Sequence, residues 1–172
     1  MSDSPSNKIS PDSSAKASPE TFLRSISLPA NFDSLDEVRE FVGQSAEDSG
    51  MVSSDIYAVQ LAVDEAFTNI VEHAYGGECL EEVDCICQNT ENALIITLKD
   101  CGEPFNPLDV PSPDLESDLE KRKIGGLGLY FMRQLMDEIQ FTFLPESESD
   151  EGCNILRMVK LKEKKSGGSR AP

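Results

Sequence analysis

The stretch AVDEAFTNIVEHAYGG, residues 62–77, has the pattern of a helix with two different faces. Glu65, Asn69 and His73 follow one another at intervals of four, which places them on one side of a helix. The other side is apolar and consists of Val59, Val63, Ala66, Phe67, Ile70 and Ala74. A polar face by itself is typical of a solvated surface, so its meaning depends on the motifs that follow.

The composition narrows the classes of function. The chain has 172 residues, which suggests one domain, and a formal net charge of −17. Because such a surface repels phosphate backbones and anionic lipids, we expect no nucleic-acid partner and no membrane partner. No apolar run approaches the roughly 20 residues that cross a bilayer, and the polar start MSDSPSNKIS lacks a signal-peptide core. The sequence therefore predicts a cytoplasmic protein.

The cysteines do not form a recognisable metal motif. There are five, with no CxxC pair, and the chain has one histidine, so a zinc cluster is not expected. Cys85 and Cys87 lie two apart in a strand-like run and would share one face of a sheet. We expect all five to be reduced thiols, used as small core residues.

The secondary-structure pattern alternates along the chain. Ser34 and Glu37 have the spacing of a capping box at the start of a helix. The predicted elements are a strand at 21–28, helices at 34–50 and 54–75, strands at 82–89 and 93–100, a helix at 126–139, and strands at 139–145 and 153–161. This order predicts an α+β fold, a two-layer sandwich of a mostly antiparallel sheet with helices on one face.

Composition also divides the chain into a domain and two tails. Residues 1–19 are polar and proline-containing and are predicted to be disordered, and residues 163–172 are predicted to be a flexible tail. The domain then spans residues 20–162. Within it, the charged, proline-rich loop at 103–124 exceeds the usual connection length, which is typical of a lid or a mobile segment.

Two further motifs follow the helix of residues 62–77. In DCGEPFNP, residues 100–107, an aspartate stands where a strand ends and Gly102 lets the backbone approach a neighbour. In GGLGLYFMRQLMDEI, residues 125–139, glycines precede an amphipathic helix whose first N–H groups are free to bind an anion. Each motif alone is also typical of a turn or a hinge.

The ordered set of three motifs resembles the GHKL ATPase superfamily, which has the Bergerat ATP-binding fold. The motif sequences are most similar to those of its compact branch, the bacterial anti-sigma factor serine kinases. These sequences are DEAFTNIVEHAY, DCGEPFNP and GGLGLYFMRQLMDEI. The resemblance extends over about residues 21–162, and the glycine-rich run is its most specific part.

The resemblance implies a role for each motif residue on the first helix and at the strand end. Asn69 would bind Mg²⁺, which bridges the phosphates of ATP, and Glu65 would act as the general base toward the attacking hydroxyl. Asp100 would accept a hydrogen bond from the adenine amino group, with Gly102 giving the base room. His73 could line the phosphate end of the pocket, although a structural role is the stronger expectation.

The same resemblance implies that the glycine-rich run, Gly125, Gly126, Leu127 and Gly128, cradles the phosphates. Its implied function is a serine/threonine protein kinase that phosphorylates a STAS-domain anti-anti-sigma protein. When released, the kinase would sequester a sigma factor or another effector. A homodimer is expected, with residues 21–50 as its surface. The alternative is an ATP-binding module without catalysis that sequesters a protein partner.

Overall fold

The computed structural model describes residues 20–107, 127–145 and 152–163. Its strands are β1 (Phe22–Pro29), β2 (Glu82–Asn89), β3 (Ala93–Asp100), β4 (Glu138–Leu144) and β5 (Cys153–Leu161). Its α-helices are α1 (Leu35–Asp48), α2 (Ser53–Asn69) and α3 (Leu127–Leu135). Several predictions fall on residues that the structure does not describe. These residues are the tail at 1–19, Gly125 and Gly126, and most of the loop at 103–124 and of the tail at 163–172.

The strands form one antiparallel sheet in the order β1-β2-β3-β5-β4. Alternate residues of the central strands are apolar and buried, because one face of the sheet packs against the helices. These buried residues include Val83, Cys85, Cys87, Leu94, Ile96, Leu98, Leu156 and Met158. The predicted α+β fold with a mostly antiparallel sheet and helices on one face is confirmed.

The helices contribute the other half of the core. Their buried side chains recur at helical spacing and include Val38, Val42, Ala46, Val59, Val63, Phe67 and Met132. Gly43 lets α1 come close to α2, because a Cβ at this position would overlap the side chain of Gln60. Among the described residues, no helix is both long enough and apolar enough to cross a bilayer.

Helix α2 does not continue as a regular α-helix to Tyr75. A π-helical turn, Ile70–Ala74, follows it, and Tyr75 N donates to Ile70 O at 3.2 Å. The predicted glycine stop is confirmed: Gly76 and Gly77 both have positive φ, and Gly77 N donates to Val71 O at 2.8 Å.

One predicted capping bond and one predicted helix end were wrong. Ser34 is the N-cap residue of α1, as predicted, but its side chain makes no capping bond, because its single hydroxyl hydrogen lies between two acceptors, Pro29 O and Asn31 Oδ1. Helix α3 ends at Leu135, although its helical pattern continues to Ile139. Asp137 N donates to Val159 O at 2.9 Å, so pairing with β5 takes the chain into β4 at this point.

The expectation of five reduced thiols was also wrong. Cys101 and Cys153 form a disulfide that joins the end of β3 to the start of β5. The register pairs Asp100 with Asn154, and so brings the two cysteines opposite each other. Cys79, Cys85 and Cys87 are free, and the last two are buried on the same sheet face, as predicted.

Candidate functional site

The polar face of α2 is only partly preserved in the structure. Glu65 and Asn69 are half-buried, whereas His73 is exposed. The π-helical turn begins directly after Asn69 and widens the backbone there, so His73 is no longer held one α-helical turn beyond Asn69. A π-turn inside a helix is often found at a functional site. The structure therefore brings together two of the three polar residues.

The start of α3 lies against these two residues. A Cβ built on Gly128 would stand 2.7 Å from Glu65 Oε2 and 3.2 Å from Asn69 Nδ2. Leu127 is the first residue of α3, so the free N–H groups at the start of this helix are next to the polar face of α2. The first and third sequence motifs thus meet in space.

Asp100 is buried at the end of β3, with 4% of its surface exposed. Its Oδ1 accepts hydrogen bonds from Gly102 N at 3.1 Å and from Asn154 Nδ2 at 2.8 Å. These bonds fix the carboxylate, which lines a pocket. The pocket is lined by Ala66, Asn69, Ile70, Ala74, Asp100, Phe105, Met132, Phe141, Thr142, Asn154, Ile155 and Leu156. It is largely apolar, with Asn69 and Asp100 both on its wall, as suits a flat organic ligand with a polar edge.

The loop after Asp100 is held against the π-helical turn. A Cβ on Gly102 would stand 2.5 Å from Ala74 O, and Glu103 N donates to that same oxygen at 2.8 Å. Cys101 N donates to the hydroxyl of Tyr75 at 3.1 Å. The second motif is thereby attached to the end of the first, and only glycine fits at residue 102.

Asn154 is a site residue that the sequence analysis missed. It is buried at the start of β5, and its amide bonds Asp100 Oδ1, Glu103 O and Phe105 N. The available signal was weak: a single polar residue at the beginning of the apolar run CNILRMV. Only the pairing of β5 with β3 reveals that it faces Asp100.

Burial sets the acid–base properties of the two carboxyl groups. Desolvation raises the pKa of Glu65, and the nearby charges of Asp64 and Glu72 raise it further. Desolvation also raises the pKa of Asp100, while hydrogen bonds from Asn154 and Gly102 act in the opposite direction. A glutamate with a raised pKa is better suited to accept a proton near neutral pH.

The donor set is suitable for the Mg²⁺ that the resemblance implies. Asn69 offers a half-buried carboxamide oxygen beside the start of α3, where Gly128 leaves space. Mg²⁺ keeps several waters and is often completed by phosphate oxygens, so one or two protein oxygens are sufficient. In the described part of the chain, no group of three or more His, Cys, Asp and Glu residues is placed to hold a metal ion.

Comparison with known proteins identifies the family of the chain. The family model described as "Histidine kinase-like ATPase domain" matches residues 28–160, which include all the site residues described above. The chain belongs to this ATPase-domain family. The predicted resemblance to the GHKL superfamily is therefore confirmed.

Two relatives with curated names share one description. A Listeria monocytogenes protein named serine-protein kinase RsbW is 29% identical over 143 residues, 81% of this chain and 87% of that protein. A Bacillus cereus protein with the same name is 32% identical over 133 residues, 75% of this chain and 79% of that protein.

A solved structure extends the likeness to the fold of the ATPase domain. It comprises the RsbU and RsbW domains of a Mycobacterium tuberculosis protein, and superposes with a TM-score of 0.55 at 16% identity. The match covers 83% of this chain and 33% of that chain. At this identity the likeness supports the α+β fold alone.

Proposed function

We propose that this ATPase domain is an ATP-dependent serine/threonine protein kinase that phosphorylates a STAS-domain anti-anti-sigma protein. When it is released from that protein, the kinase would sequester a sigma factor or another effector. The observation that carries the proposal is the position of Gly128, which lies against both Glu65 and Asn69 at the start of α3. A general base and a metal ligand then flank the N–H groups at which phosphates bind. The relatives named serine-protein kinase support a protein serine as the acceptor of the phosphoryl group.

Each residue of the site has a separate role in the proposed phosphoryl transfer. Asp100, which lines the pocket, would accept a hydrogen bond from the adenine amino group and so set the orientation of the nucleotide. The N–H groups at the start of α3, at Leu127 and Gly128, would hold phosphate oxygens. The resemblance implies the same role for Gly125 and Gly126, which lie outside the described residues. Asn69 would hold Mg²⁺, which when bound would supply positive charge to neutralise the phosphates.

Glu65 accepts the proton of the attacking hydroxyl. Its raised pKa favours this step, because the carboxylate is a stronger base than an exposed glutamate. His73 is exposed and does not line the pocket, so we assign it no contact with the nucleotide. In phosphoryl transfer, positioning and charge neutralisation provide most of the rate enhancement, and this set of groups is sufficient for both.

The proposal includes assembly and location. β1 is at the edge of the sheet and exposes Leu23 with 70% of its surface accessible, which supports residues 21–50 as the surface of a homodimer. A cytoplasmic location follows from the sigma-factor role. There the Cys101–Cys153 disulfide would form only under oxidising conditions.

The test mixes the purified chain with Mg²⁺, γ-labelled ATP and purified STAS-domain proteins. Glu65→Gln and Asn69→Ala are measured beside Glu91→Gln, a control of the same residue type with an exposed side chain in the turn between β2 and β3. We expect label on a serine or threonine of one STAS protein, lost in the first two variants and kept in the control. Binding of ATP without transfer to any STAS protein would favour the non-catalytic module, and absence of ATP binding would overturn both functions.

A further inference from the structure

Both the nitrogen and the oxygen of the Asn154 amide make hydrogen bonds. Nδ2 donates to Asp100 Oδ1 at 2.8 Å and to Glu103 O at 3.0 Å, and Oδ1 accepts from Phe105 N at 2.9 Å. Asn154 is 8% exposed, so these bonds are shielded from water and hold the side chain in one orientation. The amide therefore links the carboxylate of Asp100 to the backbone of the loop that follows it.

This arrangement leaves the two oxygens of Asp100 unequal. Oδ1 receives both Gly102 N and Asn154 Nδ2. Among the hydrogen bonds of the described residues, none reaches Oδ2. Asp100 lines the pocket, so Oδ2 is the atom that remains for a ligand. An ionised carboxylate oxygen can only accept a hydrogen bond.

We propose that Asn154 is a positioning residue that sets which nucleobase the pocket accepts. The inference rests on the proposed function, since it takes the ligand to be a nucleoside triphosphate. Asn154 fixes Asp100 so that a single acceptor meets the edge of the base. An exocyclic amino group, as in adenine, donates to this acceptor, whereas an oxo group at the same place is repelled by it. Discrimination of this kind is strong when buried polar groups are left unpaired by the wrong ligand.

Replacing the Asn154 amide changes the hydrogen-bonding groups that face the nucleobase. In Asn154→Asp, two carboxyl groups would lie within hydrogen-bond distance of each other, and such pairs share a proton. A protonated carboxyl can donate as well as accept, so Asp100 would tolerate an oxo group. The oxygen that accepts from Phe105 N is retained in this variant, and the loop keeps that contact.

The chain offers a matched control in Asn89. This residue is also a buried asparagine at the end of a strand of the same sheet, and its Nδ2 donates to a backbone oxygen, Glu20 O, at 2.7 Å. It does not line the pocket. Asn89→Asp therefore removes a comparable buried amide donor without touching Asp100.

The experiment measures dissociation constants of ATP and of inosine triphosphate, which carries an oxo group in place of the adenine amino group. Calorimetry is run on the full chain with Mg²⁺, for the wild type, Asn154→Asp and Asn89→Asp. We expect Asn154→Asp to bind ATP about tenfold more weakly, the usual loss for a hydrogen bond to a charged group. We expect its preference for ATP over inosine triphosphate to fall by about tenfold or more as well. The control keeps the preference of the wild type.

The preference ratio separates positioning from a structural role. If Asn154→Asp weakens both nucleotides by the same factor, or if the wild type binds both equally well, the proposal is overturned. If the wild type binds neither, the proposed function itself fails. Should circular dichroism show that Asn154→Asp is unfolded, Asn154→Ser is measured in its place; it adds no charge but loses the amide that holds Asp100 and the following loop, so a fall in preference is again expected.

Discussion

Gly128 at the start of α3 lies against the carboxylate of Glu65 on α2, at a distance that leaves no room for a side chain. A Cβ on Gly128 would stand 2.7 Å from Glu65 Oε2. Because the atom in the way is the end of a flexible side chain, Gly128→Ala would fold but displace the carboxylate. We expect phosphoryl transfer to slow at least tenfold, on the order of the effect of a misplaced reacting group, with little change in the melting temperature. A variant that unfolds at much lower temperature would contradict this account.

In contrast to Gly128→Ala, Gly102→Ala is expected to destabilise the fold. The nearest atoms to its added Cβ are Ala74 O at 2.5 Å and Ala74 C at 2.7 Å, which belong to backbone and cannot rotate away. We expect a loss of about 1–3 kcal/mol in the free energy of unfolding, as for other overpacked sites. Urea unfolding of Gly102→Ala and Gly128→Ala side by side measures the difference. Equal stability of the two variants would be evidence against the close contact with Ala74.

The main elements and the three motifs of the site could be predicted from sequence because they depend on local patterns. Alternation of apolar residues predicted β2 and β3, and the helical spacing around Glu65 and Asn69 predicted α2. Glycines at 76–77 marked the end of the helical run since only positive φ closes it in this way. Each of these signals lies within a few residues of the feature that it predicts.

The features that were missed depend on contacts between distant segments. Asn154 and the partner of Cys101 are set by the register of β3 with β5, which no local pattern records. The end of α3 is set by the bond from Asp137 N to Val159 O, which competes with a helical pattern that is otherwise intact. The π-helical turn changes the partners of the backbone hydrogen bonds but not the spacing of the apolar residues, so the sequence does not reveal it. For this reason His73 was predicted to share the helix face of Glu65 and Asn69, which the turn does not continue.

The pKa of Glu65 is expected to exceed that of an ordinary glutamate in the nucleotide-free protein. Burial is the main cause, and the charges of Asp64 and Glu72 add to it. Glu72→Gln removes one of these charges and should lower the pKa of Glu65, because a like charge disfavours ionisation. Carboxyl NMR titration measures both values, with Glu91→Gln in the β2–β3 turn as a control that leaves Glu65 unchanged. No difference between Glu72→Gln and the wild type would contradict the electrostatic coupling.

Nucleotide affinity should fall at acid pH because of Asp100. Its pKa is raised by burial, and the ionised carboxylate is a stronger acceptor for the adenine amino group than the protonated one. As pH decreases through this raised pKa, Asp100 takes up a proton and the affinity for ATP decreases, at a higher pH than an exposed aspartate would allow. Calorimetry at a series of pH values from about 4, close to the pKa of an exposed aspartate, up to about 8 follows the change. Asp100→Asn is the control: the phosphates of ATP still titrate, so any pH dependence that it shares with the wild type does not come from Asp100.

The Cys101–Cys153 disulfide should make both stability and nucleotide affinity sensitive to reductant. It closes a loop of sequence separation 52, and loop entropy alone gives about 4 kcal/mol for that length. Reduction should therefore lower the urea midpoint, and it should weaken ATP binding because the bond joins the residues next to Asp100 and Asn154. Cys101→Ser/Cys153→Ser should behave like the reduced protein and ignore reductant. Cys79→Ser, which removes a free thiol, should retain the full response. Identical urea midpoints for the oxidised and reduced wild type would show that the bond contributes nothing to this fold.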